Sequence, residues 1–291
     1  IFLTFIFSFN TFAYEFNRFL GTPDYSALNH RLCAAANNPD EVEEKWFIDC
    51  DFDGKLFAQE TPEPKNQIEV MAFNMERGYE LDSQIEAFLS GQLPMPDVLL
   101  LSEADRGCSR SNYRNTAEEI AQSLKMNFVL FRHTAHGNDV YIPAPKRFQG
   151  IAEARLGTRA DMIADIKIGE NYVRVASVHY DDGIDEKFSQ TEQAKETIAF
   201  LKDSPIPVIV GGDMNSHYYF LNLRYSLFDS TTRAFRRSGW YDAHELLGFN
   251  ARDRKTINNK IIGIAIDAVV DVIFSNKNWV VSAQVCSDMI C

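Results

Sequence analysis

The sequence predicts an α/β sandwich, and three features carry the expectation. Short apolar runs bounded by turn residues, at 68–73, 97–101 and 207–210, read as buried strands. Two alternating runs at 162–168 and 172–178 flank Gly169-Glu170-Asn171, a composition suited to a hairpin turn. Amphipathic helical stretches lie between such strands. Helices interleaved with paired strands favour a sandwich over an all-parallel barrel.

The chain opens Ile1-Phe2-Leu3-Thr4-Phe5-Ile6-Phe7. This run is apolar but falls well short of the roughly 18 residues a membrane span needs, so no transmembrane segment is expected. Thr11-Phe12-Ala13 has the small-residue spacing of a cleavage site. Residues 1–13 therefore read as a signal-peptide remnant and the protein as secreted, with a buried N-terminal strand as the alternative. Residues 14–66 are weakly periodic. Their acidic run at 40–45 and Thr61-Pro62-Glu63-Pro64 read as a solvated extension ending in a linker.

The main domain is expected over 67–291, beginning with the strand at 68–73. Leu81, Ile85, Phe88 and Leu89 share one face of a short helix, and 97–101 is strand again. Asn115 and Glu118 have the N-cap and N3 residue types of a capping box. Behind them Ala117, Ile120, Ala121 and Leu124 recur at helical spacing. Residues 127–131 return to strand, and the hairpin follows. Phe188, Thr191, Ala194, Ile198 and Leu201 mark another amphipathic helix, and strands at 207–210, 269–274 and 279–285 complete the set.

At 291 residues and 45% hydrophobic, the chain can form one large domain or two small ones around a sizeable core. A net charge of −12 argues against a histone-like grip on nucleic acid. It leaves room for an enzyme that meets a phosphate locally, and an acidic site suits a divalent cation. A monomer is expected. In an oxidising compartment Cys33 and Cys50 could close a short loop. With Cys108, Cys286 and Cys291 the count is five, so one cysteine stays unpaired within the chain, and no spacing resembles a zinc site.

Polar residues follow the apolar strands in a consistent way. Phe73 leads into Asn74-Met75-Glu76-Arg77-Gly78, Leu101 into Ser102-Glu103, Val178 into His179, and Val210 into Gly211-Gly212-Asp213-Met214-Asn215. Strand ends are where a rigid scaffold presents reactive groups. Carboxylates supply hard oxygen ligands for Mg²⁺, an amide orients water or phosphate, and an imidazole exchanges protons near neutral pH. Together they describe metal-assisted hydrolysis.

Asn74 in FNMERG, Glu103 in LLLSEADRG, His179 in SVHYDD and Gly212-Asp213-Met214-Asn215 resemble the ordered motifs of the endonuclease/exonuclease/phosphatase superfamily. The resemblance runs from about Ile68 to the C-terminus. It implies a four-layer α-β-β-α sandwich with two mixed sheets, acting on a phosphoester: a nucleic acid, a phospholipid or a small phosphoester. It implies Mg²⁺, with Mn²⁺ as a substitute, held by Glu103 with Asn74 and Asp288. His179 would contact the scissile phosphate or protonate the leaving oxygen, and Asp213 and Asn215 would position the attacking water. Asp271 matches the carboxylate that orients a second histidine, and Asn138 and Arg159 match secondary segments that contact substrate.

One motif departs. Where the family has Ser-Asp-His, the chain reads Ser287-Asp288-Met289. Methionine cannot exchange a proton, and losing one acid–base group is expected to cost about 10²–10⁴-fold in activity. An impaired enzyme or binding protein of the same fold is the alternative reading. Arg106, Arg110 and Arg114 read equally as a phosphate-binding cluster or a solvated loop. His244-Glu245 lacks the second histidine of a zinc helix and reads as structural. His217 lies close to Asn215 in sequence and has no assigned role.

Overall fold

The structure is a computed structural model of the chain. It describes residues 2–8, 52–58, 67–106, 109–131, 161–168, 171–180, 187–219, 230–248, 257–261, 264–277 and 280–286. Twelve strands are found among them: β1 (Phe2–Ser8), β2 (Phe52–Lys55), β3 (Gln67–Asn74), β4 (Val98–Ser102), β5 (Phe128–Phe131), β6 (Met162–Ile168), β7 (Asn171–His179), β8 (Val208–Tyr219), β9 (Tyr241–Asp242), β10 (Ile257–Ile261), β11 (Ile264–Ser275) and β12 (Val280–Cys286). The helices are α1 (Leu81–Leu89), α2 (Thr116–Ser123), α3 (Lys187–Leu201), α4 (Ser230–Arg237) and α5 (Ala243–Leu246).

Two mixed sheets form the scaffold. One has the order β12-β1-β3-β4; the other runs β10-β11-β8-β7-β6, with β9 also paired to β11. Among the described residues, only β3–β4 and β7–β8 are parallel pairs. Helix α1 lies between β3 and β4 in the chain, and α3 lies between β7 and β8. Each parallel pair therefore presents two carboxyl ends side by side, the edge where open α/β sheets offer their ligand crevices.

Three apolar clusters account for the packing. Ile68, Val70, Ala72, Val98 and Leu100 of one sheet meet Val173, Val175, Ile209 and Ile273 of the other. On the far side of β3, Met71 and Phe73 pack against Leu81, Phe88 and Ile120 of α1 and α2. On the far side of β8, Val208 and Val210 pack with Ala194, Ile198 and Leu201 of α3, and with Phe235 of α4. Alternation along each strand thus feeds two cores, which is why these strands read as nearly continuous apolar runs. Burial of each large side chain contributes roughly 1.5–3 kcal/mol before entropy is counted.

The predicted helix over 81–89 forms as expected, but its inner face differs. Leu81 and Phe88 are buried, whereas Leu89 points outward and Gln84 inward, donating through Nε2 to Met75 O at 3.1 Å. Asn115 caps α2 by accepting from Glu118 N at 3.3 Å. The reciprocal bond runs from Asn115 Nδ2 to Glu118 Oε2 at 3.0 Å, so Glu118 receives the cap's side chain rather than its backbone. The hairpin is tighter than the sequence indicates, because Asn171 already pairs with Ile168.

Two findings reach back before residue 67. Strand β2, from the stretch read as an extension, pairs with β5 of the domain, and Lys55 forms an ion pair with Glu118. Strand β1, from the stretch read as a signal peptide, lies between β12 and β3 and is antiparallel to both. Residues 2–8 thus join the first sheet as a strand. A short, mostly apolar run carries no local mark of these pairing partners, which lie far away in sequence.

Candidate active site

The two parallel pairs bring four side chains together. In register, Asn74 lies opposite Ser102 at the end of β3–β4, and His179 opposite Asp213 on β7–β8. The sheets are pinned to each other at this end by polar bonds. Ser177 Oγ donates to Leu101 O at 2.9 Å, and Ser102 Oγ to Val178 O at 3.3 Å. Small hydroxyl side chains here let β4 and β7 approach while satisfying carbonyls that would otherwise be buried.

Asn74 Nδ2 donates to Asp213 Oδ2 at 2.9 Å and to Glu103 Oε1 at 3.3 Å. His179 Nε2 lies 3.9 Å from Asp213 Oδ2 and 3.8 Å from Glu103 Oε1. Ligand atoms of Glu103, His179 and Asp213 all fall within 4.8 Å of one another. His179 and Asp213 are buried, whereas the Glu103 side chain is 25% exposed and forms the open side. Arg77 approaches from outside, its Nε 3.7 Å from Glu103 Oε2.

Two carboxylates this close repel one another unless donors or a cation lie between them. An amide and an imidazole fill part of that role here, and a divalent cation would complete it. The donor set of two carboxylates and one imidazole fits such an ion, with oxygen as its main ligand. Asn74, expected to help Glu103 hold the ion, hydrogen-bonds to both carboxylates. Its Oδ1 accepts from Glu76 N at 2.8 Å and its amide nitrogen faces the carboxylates. As it stands, Asn74 sets the spacing of Glu103 and Asp213.

Backbone strain gathers at the same residues. Glu103 has φ +55° and Asn215 φ +49°, and in the turn after β3 Glu76, Arg77 and Gly78 have φ +47°, +61° and +71°. A left-handed conformation costs a residue with a Cβ roughly 1–2 kcal/mol, least for asparagine. The turn is held by Gly78 N donating to Met75 O at 2.8 Å and by Met75 N donating to Ser102 O at 2.9 Å. A Cβ on Gly78 would lie 2.4 Å from Thr116 Cγ2, so glycine also allows the turn to rest on α2.

The Gly211-Gly212-Asp213-Met214-Asn215 run is not a loop beyond a strand end, as the sequence suggests. It lies within β8, which keeps β11 as a partner after β7 ends. A Cβ at Gly211 would sit 2.9 Å from Leu100 Cδ1 of the opposing sheet, and one at Gly212, with φ +145°, 2.0 Å from Val178 O. Close approach of β8 to both neighbours requires the two glycines. Asn215 donates its backbone N–H to Asp213 Oδ1 at 2.9 Å and its side-chain Nδ2 to Tyr180 O at 2.9 Å. Its place is therefore behind Asp213, steadying the carboxylate.

Tyr180 closes the back of the site. Its hydroxyl donates to Thr197 at 2.9 Å, and Thr197 donates to Asp161. Burial, then the Asp161 charge, push the phenol well above its usual range, against a smaller opposing effect of the Thr197 hydroxyl.

The other expected site residues divide. Asp271 lies opposite Asp213 in the β11–β8 register. Asn138, Arg159, Asp288 and Met289 lie outside the described residues. Arg110 makes a two-pronged contact with Asp105 at 2.8 and 2.6 Å. Arg114 bonds to Asp82 and Glu119, which hold its guanidinium above the usual range. For these two arginines the structural reading prevails over phosphate binding. His244 is fully buried at the start of α5, whose cap Asp242 accepts from His244 N at 3.0 Å. Sequence reasoning gave Arg77, three positions after Asn74, no role, because only its approach to Glu103 marks it.

No family model and no curated protein matches the chain. Solved structures do. A humanized TDP2 of D. rerio is 17% identical with a TM-score of 0.46, over 71% of this chain and 82% of that one. An endonuclease/exonuclease/phosphatase family protein from Leptotrichia buccalis is 13% identical with a TM-score of 0.40, over 77% and 86%. The human Nocturnin catalytic domain is 15% identical, also at 0.40, over 79% of this chain and 87% of that one. These values describe a distant likeness, and the chemistry follows from this chain's own side chains. The four residues that carried the endonuclease/exonuclease/phosphatase resemblance in sequence, Asn74, Glu103, His179 and Asp213, are the four that meet here.

Proposed function

We propose that the chain is a divalent-metal-dependent phosphoester hydrolase, with Mg²⁺ as its ion. The observation that carries this reading is the convergence of Glu103, His179 and Asp213 within 4.8 Å. Their oxygen-rich donor set favours a hard cation, and the exposed side of Glu103 gives a substrate access. Glu103 and Asp213 would hold the cation, which would supply Lewis-acid polarisation of a phosphate oxygen. Asp213 orients the attacking water and accepts its proton. His179 Nε2, flanked by both carboxylates, hydrogen-bonds a phosphate oxygen or gives a proton to the leaving one. Asn74 holds the two carboxylates at the spacing the reaction needs.

The test is hydrolysis of bis-p-nitrophenyl phosphate by the purified chain, with Mg²⁺ and with EDTA, beside Glu103→Ala and Met289→His. Turnover should require the ion and fall at least about 10²-fold in Glu103→Ala. Met289→His should raise it, because the position would regain a proton-handling group. Undiminished turnover in EDTA and in Glu103→Ala overturns the reading.

A further inference from the structure

We propose that Arg77 is a substrate-binding side chain, resting against Glu103 until a phosphate draws its guanidinium away. The inference rests on the hydrolase reading and names a residue of that same site.

Three observations carry it. The first is position: Arg77 stands just beyond the β3 end, and the carboxylate it approaches is that of Glu103, the open member of the cluster. The second is the quality of that contact. At 3.7 Å, with the Arg77 side chain half exposed, it is an ion pair of little worth. Arg110 and Arg174, by contrast, hold their carboxylates in two-pronged bonds of 2.6–2.8 Å. Arg77 is aimed at the site without being locked to it, and its planar fork matches two phosphate oxygens. The third is the backbone. Arg77 occupies the middle of a turn with three consecutive left-handed residues, where glycine would fit with less strain. A strained residue with a long side chain, kept at the mouth of a reactive cluster, is where strain serves a function.

The arginine competes with a cation for Glu103 and cooperates with it toward a phosphate. Its removal should therefore move two affinities in different directions, which a purely structural arginine would not do.

The experiment compares the full chain with Arg77→Gly and Arg77→Lys, reading three quantities. These are thermal stability, Mn²⁺ affinity by calorimetry without substrate, and KM with the competitive inhibition constant of inorganic phosphate. Arg77→Gly should be at least as stable as the parent and bind Mn²⁺ at least as tightly. Its KM and phosphate inhibition constant should rise about 10–100-fold, the worth of a charge-assisted hydrogen bond. Arg77→Lys should fall between the two. Unchanged KM and phosphate inhibition in Arg77→Gly overturn the inference, as does a parallel loss of Mn²⁺ affinity and stability. If Glu103→Ala still abolishes turnover in either case, the hydrolase reading stands without Arg77. If Glu103→Ala does not, the hydrolase reading itself fails.

Discussion

At the scale of single residues, the site depends on what is small as much as on what is charged. Gly212 holds φ +145°, and a Cβ there would lie 2.0 Å from Val178 O, the carbonyl immediately before His179. Gly212→Ala should force β8 away from β7 and destabilise the chain by about 1–3 kcal/mol from overpacking alone, with strain added. Gly239 is the control. It has φ +82°, and a Cβ there would meet nothing within 4 Å, so Gly239→Ala incurs only the backbone penalty of about 1 kcal/mol. Urea unfolding of both variants checks this, and equal losses would show that the approach of β8 to β7 is not what the glycine protects. Tyr180 gives a second expectation. Its folded-state pKa is raised above the unfolded value by burial and by Asp161. The associated stability is therefore fully present below about pH 10 and declines as pH climbs from there toward the folded value, with a slope of up to about 1.4 kcal/mol per pH unit. Tyr180→Phe should remove that decline while leaving the rest of the alkaline profile, as urea unfolding between about pH 9 and 11 would report.

At the scale of elements, legibility followed the range of the interactions involved. Helix α2 could be read because its cap, Asn115 with Glu118, and its apolar face lie within one short window. Strands β3, β4 and the start of β8 could be read because burial on both faces leaves runs of apolar residues, and β6 and β7 because their residues alternate. The pairing of β2 with β5 spans residues 52 to 131 and leaves no local periodic mark. Helix α4 was missed for a different reason: Ser230–Arg237 is mostly polar, and its main apolar anchor is Phe235, stacked on Phe274 at 4.6 Å. The inner face of α3 was only half legible. Ala194, Ile198 and Leu201 show the helical period, but Gln190, Gln193 and Thr197 are buried beside them. Gln190 is there to donate to Asn215 O at 3.1 Å, and Thr197 to meet Tyr180. In the site, Asn74, Glu103, His179 and Asp213 were identifiable because residue type and strand position agreed. Arg77 was not, because its significance is a 3.7 Å approach to Glu103 that no spacing encodes.

At the scale of the whole molecule, β1 decides how the chain is held together. It lies between β3 and β12, so the strand nearest the N-terminus joins the strand nearest the C-terminus to the sheet that carries Asn74 and Glu103. All seven residues of β1 pair with β3, from Phe2 opposite Phe73 to Ser8 opposite Gln67. Without them β3 would expose an edge of unpaired backbone groups, and β12 would lose the strand that ties it to this sheet. A chain beginning at residue 14, the form that signal cleavage would produce, should therefore unfold at lower urea than the full chain and gain a tendency to associate through the bared edge. Because Asn74 ends β3, its hold on Glu103 and Asp213 should loosen as well, lowering Mn²⁺ affinity along with stability. Urea unfolding, light scattering and Mn²⁺ calorimetry on the two forms make the comparison. Equal stability and equal affinity would mean that β1 is dispensable, and would return residues 1–13 to the cleaved leader that their composition equally describes. Loss of both would fix the N-terminal strand as part of the scaffold on which the site is built.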